Sequence, residues 1–121
     1  MIRMLPSRIK RVEEQVKEEI SFIVHRMVKD PRVNKFITIT KVKVAKDLRT
    51  ANIYFTLHDE SEENINEALE ALDSASGFIR HELGKRVSLR YIPAPRFFYD
   101  ETLSNAMRID SIINELHREE D

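Results

Sequence analysis

The side chains best equipped for chemistry are thinly spread along this chain. His25, His58, His81 and His117 have no histidine partner four residues away, and HELGK at 81–85 lacks the second histidine of a zinc-hydrolase helix. Surface histidine is the better reading of each. Cysteine is absent, which excludes disulfides, thiolate metal sites and thiol nucleophiles together. GxSxG, GxxxxGKS/T and GxGxxG are all missing, and two glycines in 121 residues leave little material for a loop that cradles phosphate. The acid pairs Glu13/Glu14 and Glu62/Glu63 fall on outward helix faces, with no histidine or apolar pocket beside them to raise one carboxyl pKa. The expectation is therefore no catalytic residue, no metal and no cofactor.

Bases are what remain. Arg8 and Arg11 stand a turn apart beside Lys10, preceded by Arg3, and Arg80, Lys85, Arg86 and Arg90 form a second group. The second group fits a solvated helix end, because cations near a helix C-terminus gain a few tenths of a kcal/mol, roughly, from its dipole. It equally fits a phosphate track if the fold sets the two groups side by side. Ile37, Ile39, Tyr54 and Phe97 are stacking candidates, although such residues at strand spacing are more often core.

The net charge of -1 conceals a strong segregation. Residues 1–58 and 76–99 are basic, residues 59–75 hold no base at all, and residues 100–121 are acidic. A basic face and an acidic face on one small body would follow, and the former would attract phosphate.

These groups need elements to hold them. With 41% hydrophobic and 34% charged residues and no Gly/Ser-rich tract, the chain has the composition of a folded protein. Its length suits one domain over residues 1–121, with a core from about 7 to 118 and a frayed acidic end. No apolar run is long enough to span a bilayer and the first residues lack a signal-peptide stretch, so a cytoplasmic protein without membrane contact is expected.

Ser7 is a candidate N-cap, and Ile9, Val12, Val16, Ile20, Ile23 and Met27 then recur at helical spacing, with a stop near Lys29 ahead of Asp30-Pro31. Residues 34–59 are rich in strand formers around a hairpin connection AKDLRT. Ala51, Ile53, Phe55 and Leu57 share one face. In the preceding strand Ile37 and Ile39 lie opposite Val42 and Val44, so either a bulge falls near Thr40 or Lys41 or the strand is covered on both sides. Ser61 caps a further helix, and its stripe runs on through Leu72, Ala75, Ile79, Leu83 and Val87. That unbroken phase predicts two helical segments meeting at a tight bend at Gly77, with Gly84 helping to end the second. Pro93 and Pro95 confine a short strand at Arg96 to Tyr99 to a sheet edge, and Ser104 caps a last helix with Ile109, Ile112, Ile113 and Leu116 inward. The order is α+β, with helices on one face of a small mixed sheet.

Over nearly its whole length the chain resembles the ribosome-binding factor A family. The stretches that carry the resemblance are RIKRVEEQVKEEI at 8–20, KDPRV at 29–33, ITITKVKVAKDLRTANIYF at 37–55, ALDSASGFIRHELGKRVSLRYIPAPRFFYD at 71–100 and MRIDSIINEL at 107–116. The resemblance implies a KH-like fold of the second topological type, with a three-stranded sheet and an Ala-x-Gly bend, here Ala75, Ser76 and Gly77, in place of the GxxG loop of other KH domains. It further implies a monomeric, non-enzymatic assembly factor without cofactor. Such a factor binds the immature 30S subunit and its 16S rRNA near the neck, and supports 5'-end maturation and growth in the cold. Arg3, Arg8, Lys10, Arg11, Arg80, Lys85, Arg86 and Arg90 are then the expected rRNA contacts. The competing expectation is a protein-interaction module that docks a basic ribosomal protein on the acidic helix at 61–73. Some family members carry a longer basic C-terminal tail, whereas this chain ends in HREED.

Overall fold

The computed structural model of the chain describes residues 6–33 and 37–101. Arg3, His117 and the helix expected around Ile109 to Leu116 lie outside these residues. The element order is α1 (Pro6–Arg26), β1 (Ile37–Val44), β2 (Thr50–Leu57), α2 (Glu62–Ser74), α3 (Ser76–Arg86) and β3 (Ala94–Tyr99).

Helix α1 already includes Pro6, so Ser7 lies within it and is not its cap. Proline suits the first helical positions, where the missing N–H would have no partner and the fixed φ is already helical. The helix also ends before Lys29. Met27 N and Val28 N both donate to Ile23 O, at 2.9 and 3.1 Å, and close the last turn. Asp30 then organises the following turn by accepting from Arg32 N at 2.9 Å. The inward stripe behaves as its spacing predicts: Val16, Ile20 and Ile23 are fully buried.

The sheet order is β1-β2-β3, with β1 antiparallel and β3 parallel to β2. The register slips between Ile39 and Lys41, placing the bulge at Thr40. One extra residue inverts the alternation, so Ile37, Ile39, Val42 and Val44 all reach the same core face. The bulge is thus the answer to the opposed apolar pairs, and among the described residues no second layer covers the strand. Across the hairpin, Leu48 takes a left-handed φ of 61°. Such a conformation costs a non-glycine residue about 1–2 kcal/mol, offset here by packing of the Leu48 side chain on the core.

On β2, Ala51, Ile53 and Phe55 have no exposure, and burial of one phenylalanine alone is worth about 1.5–3 kcal/mol. The three helices cover this face, α1 against β1 and α2 and α3 against β3. Strand β3 takes the edge that the prolines require, with Pro95 opposite Ala51. At the other edge, α1 reaches the outer side of β1 twice. Glu13 Oε2 accepts from Val44 N at 2.8 Å, and His25 Nε2 donates to Ile37 O at 2.6 Å. The result is the KH-like arrangement of helices on one side of an open three-stranded sheet.

Candidate nucleic-acid interface

Ser61 Oγ accepts from Asn64 N at 3.2 Å and starts α2, with Glu62 and Glu63 in its first turn where the helix dipole favours anions. Leu72, Ile79 and Leu83 are fully buried and Val87 nearly so, which carries one apolar stripe through both α2 and α3. The two helices meet at Ala75, whose φ of -89° and ψ of 0° break the helical path for a single residue. Ala75 N donates to Ala71 O and Ala75 O accepts from Ile79 N, so one residue serves as the end of one helix and the start of the next. Ser76 Oγ donates back to Asp73 O at 2.7 Å.

Gly77 sits one residue further on, inside α3, with an ordinary negative φ. A Cβ placed on it would meet nothing within 4 Å. Among the described residues neither the backbone nor the packing requires glycine there. Gly84 differs, because a Cβ there would stand 3.3 Å from Ile92 Cγ1. The helix runs past it to Arg86, so Gly84 does not end α3; it lets the segment leading into β3 lie close against the helix.

That close approach makes a cleft lined by Gly77, Arg80, His81, Gly84, Lys85, Arg90, Tyr91 and Ile92. Arg80 Nε donates to Ile92 O at 3.0 Å, which fixes the guanidinium at the mouth and leaves its terminal nitrogens unspent. Lys85 Nζ lies 3.2 Å from Glu82 Oε1. Arg90 stands 5.5 Å from the centre of the Tyr91 ring, which is half exposed. Arg80, Lys85 and Arg90 are thus drawn together. His81 and Tyr91 join them although their sequence positions carry no periodic signal; the sole hint is an aromatic beside Arg90 in a stretch confined by prolines.

Arg86 points elsewhere. Its guanidinium lies 3.5 Å from Glu19 Oε2 and 4.4 Å from the centre of the Phe22 ring, and it fastens α3 to α1. Arg8, Lys10 and Arg11 are exposed on α1. Lys10 shares a shallow hollow with Glu13, Glu14 and Lys17 beside Thr40–Val42, and none of the three lines the α3 cleft. Of the stacking candidates, Ile37 and Ile39 are core, Phe97 packs partly against it, and Tyr54 lies on the opposite side of the sheet.

The acidic features are elsewhere too. Hydrogen bonds from Arg32 hold the Asp30 carboxyl below its ordinary pKa, and Arg32 also lies 3.7 Å from Glu70 Oε1 on α2. Burial, then the adjoining Glu60, push the Tyr99 phenol up to about 12, and the phenol donates to Glu60 Oε1 at 2.6 Å. Among the described residues no group of three His, Cys, Asp or Glu side chains could hold a metal ion, and no helix is long and apolar enough to cross a membrane.

Fold and cleft together define a KH-like protein in which an interhelical bend replaces the GxxG loop. The family description "Ribosome-binding factor A" matches residues 8–113, and the chain belongs to that family. It is 49% identical to ribosome-binding factor A of Syntrophus aciditrophicus over 94% of this chain and 91% of the relative. The crystal structure of ribosome-binding factor A from Thermus thermophilus superposes with a TM-score of 0.65 at 26% identity, covering 75% of this chain and 94% of that one. A Thermus thermophilus homology model fitted into a cryo-EM map of a 30S complex with ribosome binding factor A gives a TM-score of 0.55 at 26% identity, over 76% and 90% of the two chains.

Proposed function

We propose that this chain is a non-enzymatic assembly factor that binds the immature 30S subunit through its 16S rRNA and assists late maturation and 5'-end processing. It acts as a cytoplasmic monomer. The observation that carries the reading is the cleft around Gly77, which Arg80, Lys85, Arg90 and the Tyr91 ring line together with that glycine. A phosphate can come up to the backbone of α3 at Gly77 while the guanidinium of Arg80 neutralises it, and Tyr91 offers a face to an unstacked base. Arg3, Arg8, Lys10 and Arg11 extend the contact along the rRNA backbone, and Arg86 contributes mainly by holding α1 and α3 in register. The 30S complex of a similar protein supports the choice of partner.

The test is co-sedimentation of the Arg80→Glu/Arg90→Glu variant with small subunits at several salt concentrations. Binding should fall at least tenfold and the salt slope should flatten by about 1 to 2, one phosphate contact being worth about 0.7–0.9 in slope. Unchanged binding and slope, with the circular dichroism spectrum intact, would rule the cleft out. The acidic helix supplies the competing reading, since Glu62, Glu63, Glu67 and Glu70 are exposed along α2. Crosslinking to assembling subunits separates the two: the cleft reading requires RNA adducts, the acidic-helix reading protein adducts.

A further inference from the structure

The side of the sheet away from the helices carries an ordered set of side chains that the cleft does not use. Because the Thr40 bulge turns Val42 and Val44 into the core, Lys41 and Lys43 are delivered to the open face. Two rows then cross all three strands. In one, Lys41 lies opposite Tyr54 and Tyr54 opposite Phe98; in the other, Lys43 lies opposite Asn52 and Asn52 opposite Arg96. The Tyr54 and Phe98 rings are stacked, with centroids 5.5 Å apart and planes 28° apart, and Lys41 Nζ stands 4.7 Å from the Tyr54 centroid. Phe98 is 41% exposed on an edge strand.

Charge decides what such a face fits. Neither Lys43 nor Arg96 is ion-paired with a carboxylate among the described residues. The acids keep to the margins of this face: Asp100, just past the end of β3, accepts from Thr40 Oγ1 at 2.6 Å, Glu13 binds Val44 N on the strand edge, and Glu14 shares a hollow with Lys41, while Lys41, Lys43 and Arg96 lie across the face itself. An apolar partner would cover the rings but desolvate the cations without counter-charge. A duplex would match the cations but keep its bases stacked inside. A single strand offers both phosphate and free base faces.

We propose that this open face binds single-stranded RNA, with one base stacked on the Phe98–Tyr54 platform and flanking phosphates taken by Lys43 and Arg96. The site rests on RNA being the partner but not on the α3 cleft, which lies on the helical side. Two surfaces on opposite sides of one small body would let the protein hold one stretch of RNA apart from the stretch that the cleft engages.

The test uses the full chain and fluorescein-labelled decauridylate, read by anisotropy, with a ten-base-pair RNA duplex as comparison. Phe98→Leu keeps an apolar side chain but removes the ring, and should weaken single-strand binding by about tenfold. Lys43→Glu/Arg96→Glu should weaken it further and lower the salt slope by about 1.4, two single-strand phosphate contacts at about 0.7 each. Arg80→Glu/Arg90→Glu should reduce co-sedimentation with small subunits, and adding Phe98→Leu to that variant should still weaken decauridylate binding by about a further tenfold. If the sheet-face variants keep their fold and bind decauridylate as the parent does, or if the duplex binds as tightly as the single strand, the proposal fails. Loss of single-strand binding in the cleft variant alone would also overturn it. Failure of the cleft reading is a separate result, namely unchanged co-sedimentation in the cleft variant.

Discussion

The hairpin half and the helical half of this molecule treat irregular backbone in opposite ways. At the hairpin, Leu48 adopts a left-handed φ of 61° without being glycine, and the bulge at Thr40 interrupts the ladder. Both irregularities serve the chain itself, since they set Leu48 on the core and turn Val42 and Val44 inward. At the helix bend the glycine is present and the need is not: Gly77 has a negative φ and empty space where its Cβ would be. Packing among the described residues thus accounts for the irregular backbone of the hairpin and leaves the glycine of the helix bend unaccounted for.

Deletion of Thr40 should break this contrast most severely. Without the extra residue, Val42 and Val44 or Ile37 and Ile39 would point outward, and burial of two branched side chains is worth about 3–6 kcal/mol. Thermal and urea unfolding should show a protein that is barely folded, whereas a Thr40→Ser variant keeps the bulge and stays within about 1 kcal/mol of the parent.

Gly77→Ala should separate stability from function. Helix propensity alone predicts a gain of about 0.5–1 kcal/mol in urea unfolding, because no clash opposes it. Co-sedimentation with small subunits should nonetheless weaken by about tenfold. Equal binding by both proteins would show that nothing approaches Gly77 and that the glycine is incidental.

Position 48 should show the reverse ordering. Leu48→Ala loses packing and keeps the strained φ, while Leu48→Gly loses the same packing and relieves it, so the glycine variant should be the more stable of the two by about 1 kcal/mol. Alanine should win at 77 and glycine at 48.

The smallest effect concerns the seam between the loop before α2 and strand β3. The Tyr99 phenol is raised in the folded state to about 12 from an ordinary 10.0, so the folded protein favours the protonated form. Its contribution is fully present below pH 10 and is lost as pH rises toward 12. Alkaline titration of stability in the parent and Tyr99→Phe should converge over that window, and curves that stay parallel would remove the Glu60 contact from the account.

Much of the fold was legible because period reports face. The stripe from Leu72 to Val87 foretold a bent helix pair, the two prolines foretold an edge strand, and opposed apolar pairs in β1 demanded either a bulge or a second layer. Period does not report partners, which is why Arg86 could be read as a free cation although Glu19 and Phe22 hold it. It says equally little of backbone angles: nothing in KDLRT marks Leu48 as left-handed, and Gly84 looked like a helix stop when Ile92, eight residues later, was the reason for it. The cleft was half legible for the same cause. Its cations announce themselves, while Tyr91 and His81 reach it only because α3 and the segment ahead of β3 pack so closely.

The two α1 side chains on the outer edge of β1 have a consequence for the protein's behaviour in a crowded solution. A three-stranded sheet has two free margins, and each is an invitation to another chain's strand. On one margin Glu13 takes the amide of Val44 and His25 takes the carbonyl of Ile37; on the other, Pro95 has no donor to offer. Among the described residues each margin therefore offers a second copy of the chain fewer free backbone groups, on one side because of a helix and on the other because of an imino acid.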